Sequence, residues 1–318
     1  MDITLTIDGK QVTVPKGTMV IEAAKKVGIN IPALCYDKEL QIVAACRMCV
    51  VEIEGSRKLV TSCSQIVWEG MEVHTMSERV VQARKGILRL LLDNHPNDCL
   101  TCQKAGDCLL QQYAYDYDVA FRIHDGARRG EEEARFTDTS SPYILRDESK
   151  CILCGKCVRT CAQVLDRQVL SFAGRGFNTH ISADADNTLE ESTCVSCNRC
   201  VSVCPVGALI DRRAYEKKIR NWAGTKKGVK CRACDYGCNM EVHEDHGEVT
   251  VKARQPAGGR PLCLRGRLFT EAEHSKNLPK HVYKKVETKE GRRFVKTSWQ
   301  DALSLEKVLA NLPDPEDE

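Results

Sequence analysis

The sequence predicts an α+β protein assembled from several small modules rather than from one large apolar core. Its 318 residues include 19 cysteines, which fall into five groups with spacers between them. Aromatic residues make up only 5% of the chain. Modules with few large apolar side chains bury too little surface to offset their chain entropy, so each is expected to fold around what its cysteines bind.

The number and setting of the cysteines argue against a disulfide scaffold. Such scaffolds are short secreted chains, whereas this chain is long and begins MDITLTIDGK, without a basic segment followed by an apolar one. An odd number of cysteines would also leave one thiol over. No run approaches the roughly 18 apolar residues of a membrane-spanning helix. We therefore expect a cytoplasmic protein whose thiols bind metal in a reducing compartment.

The first module, predicted for residues 1–78, has the order of elements of a β-grasp domain. Residues 3–7 alternate between apolar and polar, and Asp8-Gly9 supplies the turn of a hairpin. An apolar helical face follows, with Thr18 as the predicted N-cap. Further strand-like runs lie at 50–53, 58–60 and 71–74.

The loops of this module carry the first cysteine group. Its members are Cys35, Cys46, Cys49 and Cys63. Three thiolates in one long loop and a distant fourth suit a [2Fe–2S] cluster, whose ligands approach from two sides. The small residues Ala44 and Ala45 let backbone N–H groups approach the cluster sulfides. Tetrahedral zinc is the alternative for the same four thiolates.

A helical module is predicted for residues 79–120. Apolar residues recur at helical spacing from Ser77 to Asn94, which indicates an amphipathic helix. Directly after it stand His95, Cys99, Cys102 and Cys108. Three cysteines leave a [4Fe–4S] cluster one ligand short, and His95 is the nearest residue able to complete it, a substitution that usually raises the reduction potential. The alternative is that His95 is an ordinary surface or core residue.

A repeat in residues 142–213 is the strongest motif, and it follows a charged segment, 121–141, that is interpreted as a linker. Each half places three cysteines at three-residue steps and a fourth four residues later. In two-cluster ferredoxins the fourth cysteine of each half reaches the neighbouring cluster. The predicted sets for two [4Fe–4S] clusters are Cys151, Cys154, Cys157 and Cys204, and Cys194, Cys197, Cys200 and Cys161. Zinc in both halves is the weaker alternative.

The fifth group lies in residues 227–283, after a second predicted linker at 214–226. Its members are Cys231, Cys234, Cys238 and Cys263. They suit a [4Fe–4S] cluster, although thiolates split by a long loop also build zinc ribbons. Because four thiolates are already present, the nearby His243 and His246 are interpreted as solvated loop residues.

The 19 cysteines and His95 complete five sets of four, so no thiol is left for catalysis, and no catalytic residue is predicted. No G-x-G-x-x-G or P-loop motif indicates a flavin, nicotinamide or other nucleotide site in this chain. The balance of 47 basic against 44 acidic residues does not indicate a nucleic-acid or membrane partner. The basic stretch 217–230 is the main support for a zinc-ribbon protein, but such stretches are more typical of solvated linkers or docking surfaces.

Four motifs resemble the large iron–sulfur subunit of bacterial respiratory complex I and its relatives in NAD-linked hydrogenases and formate dehydrogenases. They are Leu34-Cys35-Tyr36, Cys46-Arg47-Met48-Cys49, the run from Asn94 to Cys102, and Cys204-Pro205-Val206-Gly207-Ala208-Leu209. The resemblance covers residues 1 to about 300 in the family's order of modules. Ala44 and Asn198 stand where the family usually has glycine, and neither change removes a ligand.

The C-terminal part is similar to formate dehydrogenases. Residues 227–283 resemble the [4Fe–4S] domain that precedes the molybdopterin-binding body of those enzymes, and residues 294–303 resemble the entry to that body. Since the sequence stops at Glu318, residues 284–318 are interpreted as a vestigial entry and a disordered acidic tail, with no molybdopterin bound. Arg265 resembles in position a basic residue between cluster and pterin, and a structural or docking role is expected for it.

The resemblance implies an electron-transfer subunit with one [2Fe–2S] and four [4Fe–4S] clusters, whose substrate chemistry lies on partner chains. The implied partners are a flavin-containing NAD(P)H-binding subunit, a small thioredoxin-like [2Fe–2S] subunit and ferredoxin, in a hetero-oligomer. The best-fitting relative is the iron–sulfur subunit of an electron-bifurcating NADH-dependent reduced ferredoxin:NADP⁺ oxidoreductase, a transhydrogenase. The alternatives are the electron-transfer subunit of an NAD(P)-dependent formate dehydrogenase or hydrogenase complex and, in another class, a zinc-ribbon interaction protein.

Overall fold

The computed structural model describes residues 2–96, 98–119, 137–253, 261–273, 282–288 and 291–302. The chain divides into two units, Met1–Thr270 and Glu271–Glu318, whereas the sequence suggested a last module boundary after residue 283. Within the described ranges, no helix has the length and apolar character needed to cross a membrane.

A five-stranded sheet and one helix form the N-terminal part of the first unit. In chain order they are β1 (Asp2–Ile7), β2 (Lys10–Pro15), α1 (Val20–Lys26), β3 (Val50–Ile53), β4 (Val60–Thr61) and β5 (Glu72–His74). The strand order is β2-β1-β5-β3-β4, and only β1 and β5 pair in parallel. Asp8 and Gly9 have φ values of 47° and 76°, as a tight hairpin turn requires.

Thr18 does not cap α1 as the sequence predicted. Its hydroxyl donates to the carbonyl of Pro15 at 2.6 Å, and its N–H donates to the same oxygen, so Thr18 closes the turn that ends the hairpin. The N-cap position belongs to Met19, whose side chain makes no capping hydrogen bond. Burial of one helix face against the sheet therefore stabilises α1 in place of a cap.

Two helices follow the first sheet. They are α2 (Glu78–Asp93), which Ser77 caps by accepting from the N–H of Val80, and α3 (Leu109–Asp116). On the buried face of α2 lies Arg84, whose exposed fraction is 0%. It donates to the carbonyls of Met48 (3.1 Å) and Val50 (2.7 Å) and to the hydroxyl of Tyr117 (2.6 Å). Arg84 therefore ties α2 to the cysteine loop of the first sheet and to the end of α3.

The remaining elements form three further sheets, short helices and a C-terminal hairpin. They are β6 (Thr137–Asp138), β7 (Ile144–Asp147), α4 (Lys156–Arg159), β8 (Leu170–Ala173), β9 (His180–Ala183), α5 (Arg199–Val203), β10 (Leu209–Asp211), α6 (Arg212–Glu216), β11 (Thr225–Lys230), β12 (Asn239–Asp245), β13 (Glu248–Ala253), α7 (Leu264–Glu273), β14 (Val282–Thr288), β15 (Gly291–Thr297) and α8 (Trp299–Ala302). The sheet orders are β10-β7-β6, β8-β9 and β11-β12-β13, and β14 pairs with β15 in the second unit.

Part of each predicted linker is packed structure. Within 121–141, residues 121–136 lie outside the described residues, but β6 pairs with β7. The carboxylate of Asp138 is buried there and accepts from the N–H groups of Ser140 and Leu189. In the sequence, an aspartate that is buried and hydrogen-bonded in this way cannot be distinguished from the solvated charged residues of a linker.

The segment 214–226 packs against the helical module instead of connecting two modules loosely. The side-chain amide of Asn221 donates to the carbonyls of Gln103 (2.9 Å) and Ala105 (2.8 Å). In return, the amide of Gln103 donates to the carbonyl of Ile219 at 2.6 Å. Polar side chains hold this segment in place by hydrogen bonds to backbone carbonyls. Because a packed segment of this kind needs few apolar residues, its composition suggested a solvated linker.

His243 is a buried strand residue and not a solvated loop residue. It lies in β12 with an exposed fraction of 0%, and its Nε2 hydrogen-bonds the carbonyl of Ala223. Burial lowers the pKa of His243, which keeps the imidazole neutral. His246 follows the strand and is exposed, as expected.

The buried hydrogen bonds of Arg84 lead to a test of stability. Arg84→Met leaves the buried carbonyls of Met48 and Val50 without their donors, and each such loss costs about 1–3 kcal/mol. We expect the free energy of unfolding, measured by denaturant titration, to fall by at least about 2 kcal/mol. Arg89→Met, on the exposed side of the same helix, is the control and should change it by less than about 0.5 kcal/mol. Equal effects of the two substitutions would contradict this role of Arg84.

Candidate metal centres

The predicted ligands of the [2Fe–2S] site come together as two pairs of thiols. The pKa of Cys35 is lowered, first by a hydrogen bond from the Cys46 side chain and further by backbone N–H groups of Cys46 and Ala45. The backbone N of Cys46 lies 3.5 Å from Cys35 Sγ. A hydrogen bond with Cys63 likewise lowers the pKa of Cys49. One thiol of each pair is therefore held in a setting that favours the thiolate, the form that binds metal.

The loop between Cys35 and Cys49 uses left-handed backbone to direct N–H groups at sulfur. Ala44 and Arg47 have φ values of 49° and 60°. Turns that combine left- and right-handed residues form concave anion sites, which recur around iron–sulfur clusters. Ala44 stands where the resembling family usually has glycine, and its positive φ supplies the physical reason for that preference.

The two halves of the ferredoxin repeat share the same backbone conformation. The residues with positive φ are Leu153 and Gly155 in one half and Ser196 and Asn198 in the other, with values of 53°, 67°, 48° and 64°. The N–H of Leu153 donates to Cys151 Sγ, and the N–H of Ser196 donates to Cys194 Sγ, both at 3.4 Å. Asparagine tolerates the left-handed region better than other non-glycine residues, so Asn198 preserves the turn that glycine forms in the first half.

The fourth cysteine of each half lies beside the opposite half. We call Cys151, Cys154, Cys157 and Cys204 the first ferredoxin site; these four residues line one cavity. We call Cys194, Cys197, Cys200 and Cys161 the second ferredoxin site; the charge of Cys161 acts on each of the other three thiols. The structure thus brings together both sets in the exchanged arrangement that the sequence predicts.

Burial strongly disfavours free thiolates at the ferredoxin sites. It raises the pKa of Cys151 to about 12 and that of Cys154 to about 11, and it raises the pKa values of Cys157 and Cys200 well above that of an ordinary thiol. Cationic iron offsets the cost of burying a thiolate, because a coordinating thiol is deprotonated. Soft thiolate donors and inward N–H groups therefore fit iron–sulfur clusters.

The histidine site, defined as His95, Cys99, Cys102 and Cys108, has an imidazole nitrogen available for a metal. The Nδ1 of His95 lies 3.0 Å from the carbonyl of Pro96, whereas Nε2 is buried without a hydrogen-bond partner. With Nδ1 donating, Nε2 carries the lone pair. Burial lowers the pKa of His95, so the ring is neutral, as ligation requires.

The three thiols of this site are neighbours, since the charge of Cys102 acts on both Cys99 and Cys108. The charges of Asp98, Lys150 and Asp147 act on the His95 ring. The structure therefore places His95 in the same loop as the cysteines, with its available nitrogen buried.

The histidine site and the first ferredoxin site lie next to each other. Gly207 follows Cys204 closely, and a Cβ atom at Gly207 would lie 3.0 Å from Cys102 Sγ. Lys150 precedes Cys151 and forms ion pairs with Asp98 (3.1 Å) and Asp147 (2.6 Å). The glycine permits the close approach, and the lysine joins the two cysteine segments.

The C-terminal site, defined as Cys231, Cys234, Cys238 and Cys263, borders the second ferredoxin site. The charges of the other three thiols act on Cys238, whose pKa is raised chiefly by burial. The N–H of Leu264 donates to the carbonyl of Cys197 at 2.7 Å. Arg199, which precedes Cys200, donates to the carbonyl of Pro261 at 3.0 Å.

Arg265, the residue matched by resemblance, is exposed, whereas Arg267 is buried and was missed by sequence reasoning. Arg267 donates to Ser202 Oγ at 2.9 Å and lies 3.4 Å from a carboxylate oxygen of Asp211. It therefore fastens α7 to α5 and β10. Arginines in a basic chain give no sign of burial in the sequence alone.

Lys156 and Arg199 were also missed, although a signal was present. Each directly precedes the third cysteine of its half of the repeat. Lys156 forms a buried ion pair with Asp37 at 3.2 Å, and Arg199 contacts Pro261. Each basic side chain thus reaches a residue two positions from a predicted ligand of a neighbouring site. Comparison of the two repeats would have singled out this position.

Within the described ranges, no three histidine, cysteine or acidic side chains converge as ligands of a single metal ion would. In an iron–sulfur cluster the ligands are distributed over several iron atoms, so they need not converge on one point.

Three family models match successive parts of the chain. Residues 1–78 match the 2Fe-2S iron-sulfur cluster binding domain, and residues 84–122 match the NADH-ubiquinone oxidoreductase-G iron-sulfur binding region. Residues 141–210 match the ferredoxin-like domain of NADH-quinone oxidoreductase subunit 3. The chain therefore contains 2Fe-2S and 4Fe-4S ferredoxin-like domains.

One solved structure is similar to this chain over most of the length of the solved chain. It is the crystal structure of an NAD⁺-reducing [NiFe]-hydrogenase in the H₂-reduced state, with 33% identity and a TM-score of 0.60 over 66% of this chain and 87% of that one. The chain belongs to the family of iron–sulfur electron-transfer subunits shared by complex I and NAD(P)-linked hydrogenases. This membership bears out the resemblance noted in the sequence.

Curated relatives in this family come from several oxidoreductases. The NADP-reducing hydrogenase subunit HndD of Solidesulfovibrio fructosivorans is 42% identical over 71% of this chain and 39% of its own length. The NADPH-Fe(3+) oxidoreductase subunit alpha of Geobacter sulfurreducens is 36% identical over 83% and 31%. The mitochondrial NADH-ubiquinone oxidoreductase 78 kDa subunit of Candida albicans is 35% identical over 70% and 30%. The chain thus spans less than two fifths of these relatives.

The positive φ of Ala44 leads to a test of the [2Fe–2S] loop. A non-glycine residue in the left-handed region costs about 1–2 kcal/mol, and the half-buried methyl group returns only part of that cost. We expect Ala44→Gly to raise the free energy of unfolding by up to about 1 kcal/mol, measured by denaturant titration. Ala45→Gly is the neighbouring control and should be destabilising or neutral. A destabilised Ala44→Gly variant would contradict this account.

The buried Nε2 of His95, which has no hydrogen-bond partner, leads to a test of whether His95 binds a cluster. His95→Cys should retain iron while its cluster becomes harder to reduce, because a thiolate adds negative charge where imidazole is neutral. We expect the reduction equilibrium constant to fall at least about tenfold, or about 59 mV, in an EPR-monitored redox titration. His246→Cys, at an exposed histidine, is the control. An unchanged potential in a fully loaded His95→Cys variant would rule out His95 as a ligand.

Proposed function

We propose that this chain carries electrons through one [2Fe–2S] and four [4Fe–4S] clusters between a flavin subunit and ferredoxin or a second catalytic subunit. The observation that supports the proposal is that the predicted sites are contiguous. The first ferredoxin site lies beside the histidine site and shares buried structure with the second ferredoxin site, which borders the C-terminal site. A connected set of redox sites provides a conducting path.

The proposed ligands are the twenty residues predicted above. When bound, the clusters supply one-electron redox chemistry. The residues of the chain bury several of the cysteines, direct backbone N–H groups at sulfur and fix the spacing between sites. Hydrogen bonds to sulfur and burial are two of the properties by which proteins set cluster potentials.

For the whole complex we propose a flavin-based, electron-bifurcating NAD(P)H/ferredoxin oxidoreductase that acts as a transhydrogenase in the cytoplasm. The partners would be a flavin-containing NAD(P)H-binding subunit, a small thioredoxin-like [2Fe–2S] subunit and ferredoxin. The supporting observations are family membership and the absence of a nucleotide-binding motif from the printed sequence. The substrate chemistry is therefore assigned to partner chains.

An NAD(P)-linked hydrogenase complex is the second candidate. It is favoured by the 42% identity to an NADP-reducing hydrogenase subunit and by the structural similarity to an NAD⁺-reducing hydrogenase. Purification of the native complex separates the two candidates. A flavin subunit without a hydrogenase active centre would support the transhydrogenase, whereas H₂-dependent reduction of NAD(P)⁺ by the complex would support the hydrogenase.

Metal analysis of the chain tests the cluster content directly. The proposal predicts about 18 iron atoms per chain, a matching content of acid-labile sulfide and little zinc. Inductively coupled plasma spectrometry and a sulfide assay on anaerobically purified protein provide the measurement. Colourless protein with four or five zinc atoms would overturn the proposal and favour the zinc-ribbon alternative.

A further inference from the structure

Arg159 lies between the [2Fe–2S] site and the first ferredoxin site. It is the last residue of α4, and only 7% of its surface is exposed. One of its terminal nitrogens, Nη2, donates to the carbonyl of Cys35 at 2.7 Å and to the carbonyl of Cys154 at 3.2 Å. The same nitrogen thus contacts the backbone of one predicted ligand from each site.

The other donors of the guanidinium group also meet neutral oxygens. Nη1 donates to the carbonyl of Gln41 at 2.7 Å, and Nε donates to the carbonyl of Gly155 at 3.2 Å. These hydrogen bonds satisfy the donors, but in the described residues no carboxylate pairs with the charge of Arg159. A buried cation is costly unless an anion lies nearby, and clusters with thiolate ligands are anions.

The surrounding contacts hold the two sites in one arrangement. Lys156, on the same helix, forms an ion pair with Asp37, and both side chains are less than 10% exposed. Gln163 accepts from the N–H of Gln41 at 2.9 Å. Arg159 is therefore the central residue of an interface between the loop 35–41 and the segment 156–163. The charges of Arg159 and Cys35 are close enough to interact, as are those of Cys35 and Cys154.

We propose that Arg159 is a positioning residue that joins the [2Fe–2S] site to the first ferredoxin site and that its fixed charge raises the reduction potential of both clusters. This inference rests on the proposed electron-transfer function. With both clusters bound, an electron passing between the two sites would oxidise one cluster and reduce the other, and no bond of Arg159 would form or break. The electron comes from NAD(P)H through the flavin subunit of the proposed complex.

The physical reason for the effect on potential is electrostatic. Reduction adds one negative charge to a buried, low-dielectric region, and a cation that cannot lose its proton stabilises that charge. The cation contacts the backbone at both sites, so it favours the reduced form of each cluster. A role limited to hydrogen bonding would hold the two loops together without changing either potential.

The test compares full-length wild-type protein with Arg159→Gln and Arg159→Lys, each purified anaerobically with its clusters. Midpoint potentials are measured by EPR-monitored redox titration, in which temperature dependence separates the [2Fe–2S] signal from those of the [4Fe–4S] clusters. We expect Arg159→Gln to lower the reduction equilibrium constants of both clusters about tenfold, which corresponds to about 59 mV. Iron content and melting temperature are measured on the same samples.

Arg159→Lys separates the charge from the hydrogen bonds. Lysine keeps the cation but has a single nitrogen, which cannot reach four carbonyls, so we expect a lower melting temperature with both equilibrium constants within about threefold of wild type. Arg167→Gln removes an exposed arginine just beyond the segment 156–163 and should leave both potentials and the melting temperature unchanged, because water screens its charge.

Three results would overturn the inference. They are unchanged potentials in an iron-loaded Arg159→Gln variant, equal shifts in Arg167→Gln, and a tenfold or larger shift in Arg159→Lys. If Arg159→Gln fails to retain iron, Arg159→Met, which is also neutral and similar in length, is titrated in its place, with the same expected tenfold fall and with unchanged potentials as the result that overturns the inference. Failure of the proposed function would be recognised separately, because the wild-type protein would then lack iron and sulfide.

Discussion

Burial of cysteine thiols is the constraint on which the rest of this structure depends. The apolar clusters of the described residues pack around predicted ligands: Cys49 and Cys63 in the first, Cys157 and Cys161 in the second, Cys108 and Cys204 at the third, and Cys231 and Cys238 in the fourth. Burial raises the pKa of Cys108, Cys157 and Cys238, so ionised sulfur at these positions needs a cationic partner. Metal ligation and core formation are therefore coupled, which explains how a chain with few aromatic residues forms several modules.

Basic side chains at the borders between sites are the second recurring feature. Arg159 and Lys156 reach the [2Fe–2S] loop, Lys150 joins the first ferredoxin site to the histidine site, and Arg199 reaches the C-terminal site. The guanidinium groups donate to backbone carbonyls, and the ammonium groups pair with aspartates. The aspartates offset the lysine charges, so the charges of Arg159 and Arg199 are the ones that lower the electrostatic cost of assembling several anionic centres in one unit.

The contacts give the first ferredoxin site a central place. It lies beside the [2Fe–2S] site through Arg159, beside the histidine site through Gly207, and beside the second ferredoxin site through the exchanged cysteines. The C-terminal site contacts the second ferredoxin site through Leu264 and Arg199. A branched arrangement suits a subunit that connects several partners, because an electron entering at one module has more than one neighbouring site to reach.

The sequence by itself determined which kinds of module this protein contains. Cysteine spacing, the period-two pattern of the first hairpin and the amphipathic α2 depend on short-range geometry, so the [2Fe–2S] and [4Fe–4S] ferredoxin-like domains and the family were predictable. The ligand sets remain predictions, and their short spacings explain why the sequence could propose them. Only the tertiary structure decided how the modules meet. Buried Arg84 and Arg159, buried His243 and the packed segment around Asn221 make contacts between residues far apart in the chain. A charged or polar side chain looks the same in a sequence whether it is solvated or satisfied by distant carbonyls, and only the folded chain brings those carbonyls to it.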